Sequence, residues 1–236
     1  MKIRGALKKL MAKAFQGDAK SVIKQLTKGL NLGKAANDDA RIDKILAEME
    51  LAGIEVTREE VAALLAQAAQ NGGVAAFIQL DFEAPAEITS LVNKQALAWA
   101  EKRAGELITK IDEDTREIIC SDVAQATEEG WSTSLLADAL SENYGFSDGR
   151  ASMIARTECA RADCQGNLLA YKNSGLVSGK EWLLGSEHVG EDECNNNAAE
   201  GVIPLDQAFS SGDDAPPAHP NCVCDFVPRG IEGVEE

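Results

Sequence analysis

From Ile88 to about Gly130 the sequence runs for some forty residues in an alanine-rich pattern with helical spacing. Leu107, Ile108, Ile111, Thr115, Ile118, Ile119 and Asp122 fall close to one stripe. Six of those seven side chains can pack. The segment therefore reads as a long amphipathic helix laid against partners. A helix of that length commits the chain to a mainly α architecture, since alanine and leucine dominate the first 175 residues and both favour helix.

The flanking signals agree. Pro85 suits the first turn of this helix and Gly130 its stop. Ser132 or Thr133 caps a shorter helix carrying Leu135, Leu136, Ala139 and Leu140. Asp148 caps another that runs to about Asn173, with Gly175 placed as its left-handed cap. Upstream, Ile3, Leu7, Leu10, Met11, Ala14 and Phe15 share one face of a lysine-studded helix. Ile42, Ile45, Leu46 and Met49 mark a second helix over 38–51, closed by Gly53. Thr57 and Glu60 form a capping-box pattern before a third. Asn71-Gly72-Gly73 reads as a break, and the short FIQLDF (77–82) fits either helix or strand.

After Gly175 the texture changes. GLVSGKEWLL has strand character, and GVIPL and CVCDFV are short apolar runs separated by long polar loops. Three regions follow: an N-terminal helical region (1–80), a helical core (85–175) and a small β-rich Cys/His module with an acidic tail (176–236). The expected fold is mainly α with a small α+β C-terminal module, the long amphipathic helices packing on a short-stranded, metal-stapled lobe. A module with so little core needs a staple.

Cys194, His219, Cys222 and Cys224 are the candidates for that staple. Thiolate and imidazole are ligands that zinc prefers, and four of them make a closed tetrahedral site. Two other readings stand beside it: small strand residues with a turn histidine, or a disulfide. In a regular strand Cys222 and Cys224 would point to opposite faces; a bend after Pro220 would relieve this. His188 is a reserve ligand. Cys120, Cys159 and Cys164 fall on helices and read as buried thiols.

The net charge is −16, with a pI near 4.6. Such a surface repels the phosphate backbone, so DNA contact should be weak or local. The charge is polarised. Residues 1–30 carry eight basic side chains against Asp18, and residues 186–236 carry twelve acids against Arg229. No secretory leader and no run of about 18 apolar residues is seen, so neither export nor a membrane partner is expected.

From residue 105 onward the sequence resembles the Mu F-like family of phage head morphogenesis proteins. The resemblance rests on Gly130-Trp131-Ser132; on Arg150, Ala151, Ile154, Ala155, Arg156, Thr157 and Glu158 as an RA-x-x-IARTE signature; on Gly175, Lys180 and Trp182; and on Cys194, Gly201 and the closing HPNCVC. One departure stands out. Many relatives carry Cys-x-x-Cys where this chain has Glu191-Asp192-Glu193-Cys194. The resemblance implies a minor virion protein, made in the host cytoplasm and residing in the phage head or procapsid near the portal vertex. Its implied partners are portal or major capsid protein, and scaffold.

Arg156 and Glu158 are expected to make buried or interfacial polar contacts that lock their helix to the β module. Trp182 should pack in the module's small core. A metal-dependent hydrolase or nuclease using His219, Glu191 and Asp192 is the alternative, but there is no HExxH, nucleophile elbow or P-loop. A zinc-stabilised adaptor acting outside a virion is a third reading.

Overall fold

The computed structural model describes residues 2–29, 58–129 and 131–230. The helix expected over 38–51, the cap at Thr57, the stop at Gly130 and the last acids of the tail lie outside the described residues. Among the described residues six helices and three short strands follow in order: α1 (Lys2–Gly29), α2 (Arg58–Gln79), α3 (Ala86–Glu128), α4 (Thr133–Glu142), a 3₁₀ turn (Tyr144–Phe146), α5 (Asp148–Ser174), β1 (Gly179–Leu183), α6 (Glu193–Ala199), β2 (Val202–Pro204) and β3 (Asp225–Arg229).

The long helix inferred from the stripe is α3. Leu107, Ile111, Thr115 and Ile119 on it are buried, and Ile108, Ile118 and Asp122 are partly so. Ser132 caps α4, its hydroxyl accepting the Leu135 N–H. Helix α5 begins at its expected cap residue, one residue earlier than that cap implies. Asp148 is already helical, and Ser147 does the capping, accepting the Arg150 N–H at 3.1 Å. Gly175 takes the left-handed conformation, φ +70°.

The expected break at Asn71-Gly72-Gly73 does not occur, and α2 runs straight through it into FIQ. A Cβ at Gly72 would collide with the Asp163 carbonyl, and one at Gly166 with the Ala69 carbonyl. The glycines let α2 and α5 cross backbone to backbone. Packing gained there outweighs the roughly 1 kcal/mol that each glycine costs a helix relative to alanine. Helix α2 also corrects the expectation from apolar runs, because it is long and apolar enough to cross a membrane. Just over half of its most apolar stretch is buried inside the protein, including Val61, Leu65, Ala69 and Ala76.

The chain forms two compact units. One comprises residues 5–61 and 103–152. Its buried side chains include Leu7, Met11 and Phe15 of α1, Ile111 and Ile119 of α3, and Leu136 and Leu140 of α4. Arg150 is buried in this unit. Its guanidinium donates to the Thr115 hydroxyl and the Gly145 carbonyl, each at 2.9 Å, and lies over the Phe15 ring.

The other unit comprises residues 1–4, 62–102 and 153–236. Its three strands form an antiparallel sheet in the order β2-β1-β3, with Lys180 opposite Ile203 and Pro228, and Trp182 opposite Phe226. Two clusters of buried side chains hold it together. The first combines Phe77, Val92, Leu168 and Tyr171 of the helices with Leu205, Ala215 and Phe226 of the β module. Tyr171 meets Phe226 edge-on at 5.7 Å, a geometry that aromatic quadrupoles favour. The second cluster lies inside the module: Trp182, Ile203 and Phe209 with Cys194, Cys222 and Cys224. Trp182 packs there as expected, edge-on to Phe209 at 5.0 Å. Half of that inner core is cysteine, so the module is as thinly cored as its sequence suggests.

Candidate metal centre

The segment carrying His219, Cys222 and Cys224 is not a strand. β3 starts only at Asp225, and Asn221 sits at φ +59°. The left-handed region tolerates Asn better than most residues, because its short amide can bond locally. Here the amide bonds to α5. Arg156 donates to Asn221 Oδ1 at 3.2 Å, and the Asn221 N–H donates to the Thr157 hydroxyl at 3.0 Å. The turn closes with the Cys222 N–H on the His219 carbonyl at 3.2 Å. This is the bend that Pro220 suggested, one residue later, and both thiols after it are buried.

Cys194 comes from the first turn of α6. Asp192 caps that helix in a reciprocal box. Its carboxylate accepts the Cys194 N–H at 2.9 Å, and the Asn195 side-chain oxygen accepts the Asp192 N–H at 3.1 Å. A third loop, following β1, brings His188. Gly185 permits this: a Cβ there would strike the Val223 carbonyl, so only glycine lets this loop lie against the cysteine segment.

Five donors converge in two overlapping sets. Cys194, His219 and Cys222 have their ligand atoms within 4.8 Å of one another, and so do His188, Cys194 and Cys224. Cys194 is common to both. Its sulfur lies 3.5 Å from that of Cys222, and Cys224 Sγ lies 3.8 Å from His188 Nδ1. All four expected ligands thus gather around Cys194, with Cys222 and Cys224 in different sets. His188, a reserve on sequence grounds, stands as close as the rest.

Burial, followed by the neighbouring Cys222 and Cys224, pushes the Cys194 thiol well above its ordinary pKa, and burial also raises Cys222. Cys194 and Cys222 therefore resist ionising, first because burial disfavours the thiolate and then because a neighbouring thiolate would repel it. A bound divalent ion inverts that balance and deprotonates coordinating thiols. The donor set is soft sulfur and imidazole, which suits zinc. The buried His219 Nε2 makes no hydrogen bond among the described residues; it faces Asp192 Oδ2 at 3.1 Å.

The signature residues on α5 divide their work. Arg156 and Thr157 both grip Asn221, which ties α5 to the module. Glu158 is buried, 3.9 Å from Arg161 of its own helix, and Arg161 reaches on to Asp213 of the module at 3.4 Å. Arg150 belongs to the other unit. Lys180 is wholly buried. Its ammonium donates to the carbonyls of Leu205 and Asp214 at 3.2 and 2.6 Å and lies over the Phe209 ring. Desolvation lowers its pKa to about 8.

Sequence reasoning missed the roles of Asn221, Asn195 and Gly185. The pattern Asn-Cys after His-Pro was a legible hint of a left-handed turn. Nothing in the spacing announced the other two. Of Cys120, Cys159 and Cys164, expected as buried thiols, only Cys164 is buried; Cys159 is half-buried and Cys120 exposed. Glu191 is exposed and belongs to neither donor set.

Comparison with curated proteins and with solved structures gives no match. The family model described as phage Mu protein F like protein matches residues 117–227, from the second half of α3 through the cysteine segment into β3. Over that stretch, which is just under half of the chain, the protein is similar to the phage Mu protein F-like family.

Proposed function

We propose that this chain is a non-catalytic structural protein of phage head assembly, whose C-terminal module is closed by one zinc ion and held on α5. The match to the phage Mu protein F-like family over 117–227 supports the head-assembly role. The observation that carries the stapled module is the inner core in which Cys194, Cys222 and Cys224 replace the apolar residues a lobe of this size would need. A tetrahedral Cys-rich site is closed, with no open position for a water nucleophile, and contributes folding free energy directly. Cys194, Cys222 and Cys224 with an imidazole from His219 or His188 would hold the ion. The hydrolase alternative gains nothing from Glu191, which stands apart, or from Asp192, which is engaged as a helix cap.

In this reading the portal vertex is the docking partner, with capsid or scaffold protein as neighbours, and the virion is the place of residence. The acidic surface suits a protein partner better than packaged DNA.

Elemental analysis of the purified chain tests the staple. About one zinc per chain is expected, lost in Cys222→Ser together with protease resistance of residues 176–230. Equal, zinc-free resistance in both proteins would sink it. Co-sedimentation with portal rings separates the virion reading from a free adaptor: a chain that ignores portal, capsid and scaffold proteins alike is an adaptor.

A further inference from the structure

A cleft of about 410 Å³ lies in the unit of residues 1–4, 62–102 and 153–236, and none of the cysteine centre's donors lines it. That volume is within the range of small-ligand sites. One wall is a face of α5. Arg156, Cys159 and Asp163 recur there at helical spacing, so they stand one above another. Asn71 of α2 stands opposite, next to Gly72, whose close approach to the Asp163 carbonyl brings the two helices together. Arg4, from the first turn of α1, completes the polar lining.

Two guanidiniums thus share one cleft in a chain of net charge −16. Arg4 makes no hydrogen bond or ion pair among the described residues. Arg156 engages a single nitrogen, with Asn221 Oδ1 at 3.2 Å, and a guanidinium has five N–H donors. Asp163 lines the same cleft, yet no ion pair joins it to either arginine. Burial, then the neighbouring Asp225, raises its pKa. Burial also raises the Cys159 thiol to about 11, against the pull of Arg4. The walls are poorly hydrated, the two cations have no counter-ion, and the carboxyl is engaged by neither of them.

That combination selects a ligand class. Planar guanidinium forks match both carboxylate and phosphate. A phosphate dianion would meet the like charge of Asp163. A single carboxylate on a peptide meets no such conflict, because peptide N–H groups can donate to Asp163 and to the Asn71 oxygen. Its aliphatic carbons suit Ile3, Ala68 and Ala160, which complete the lining. We propose that this cleft binds an acidic peptide segment of a partner protein, through one Glu or Asp side chain held by Arg4 and Arg156. The proposal stands apart from the zinc reading.

Titration of the full chain with the blocked tripeptide acetyl-Ala-Glu-Leu-amide, followed by NMR, tests it. Shifts should centre on the Asn71 side-chain amide and the Ala160 methyl. Acetyl-Ala-Gln-Leu-amide should bind at least about tenfold more weakly, because it lacks the charged partner of the guanidiniums. Arg4→Gln should weaken the Glu peptide by a similar factor with the thermal midpoint unchanged. Ala160→Leu keeps both arginines but fills the cleft, and it should abolish binding. Equal affinity for the Glu and Gln peptides, shifts centred elsewhere, or tighter binding of inorganic phosphate than of the Glu peptide would overturn the assignment.

Discussion

The two buried clusters of the C-terminal unit are built on opposite principles. The cluster at the helices is apolar and close-packed. Phe77, Leu168, Tyr171 and Phe226 fill it, glycines bring α2 and α5 into backbone contact, and Tyr171 and Asn173 add hydrogen bonds to Gln79 and Gln95 at 2.7 and 2.9 Å. The cluster inside the module has three apolar side chains and three thiols. The first should stand on dispersion, burial and these hydrogen bonds, with no ion needed. Half the buried side chains of the second are thiols, the groups that would hold the ion in the proposed reading. Two cores a few residues apart in sequence can thus differ in whether their stability depends on what the solution contains.

Chelation should break this comparison most visibly. A structural zinc site contributes roughly 10 kcal/mol or more to folding in small zinc modules. Removing the ion with a strong chelator should strip hydrogen-exchange protection from residues 179–229 while Phe77, Leu168 and their helices stay protected. Equal loss in both would show one core rather than two. Gly166→Ala attacks the other side. Its new methyl meets the Ala69 carbonyl, and an overpacked crossing costs about 3 kcal/mol. Urea midpoints should fall accordingly with zinc content unchanged.

Thr157→Val probes the lock between the regions. It strands the Asn221 N–H and should cost about 1–3 kcal/mol, with Thr157→Ser recovering most of it. If the valine variant is as stable as the wild type and keeps its ion, α5 does not set the cysteine turn. Lys180 supplies an effect with a definite sign. Its pKa is about 8 when folded, against an ordinary 10.5. Between those values the unfolded chain binds more protons, so this group makes stability rise with pH from about 8 to 10.5. The rise should be at most about 3 kcal/mol, read as the difference in pH slope between wild type and Lys180→Met. Equal slopes would show that the ammonium is hydrated. Least of all, Lys8→Ala removes an exposed ion pair to Asp148 at 3.8 Å. It should shift stability by less than about 0.5 kcal/mol.

Local chemistry explains which parts were legible. The α3 stripe, the Ser132 cap and the Gly175 terminus are written in neighbouring residues, because helix periodicity and capping act within a turn or two. The strands were found because short apolar runs sat between turn residues. The Asn71-Gly72-Gly73 stretch misled, since a glycine pair breaks a helix only when no neighbour rewards its missing side chains. The neighbour that does so is α5, ninety residues away, and no local pattern carries that information.

The sequence by itself determined the mainly helical build, the poverty of the module's core and the chemistry of the atoms that could close it. Tertiary structure decided which of those atoms meet. Asn221 turns the chain so that Cys222 and Cys224 flank Cys194 rather than facing away, and Gly185 lets His188 reach them. Ligand types are a property of residues, but convergence is a property of backbone paths, and these paths are fixed by contacts between segments distant in the chain.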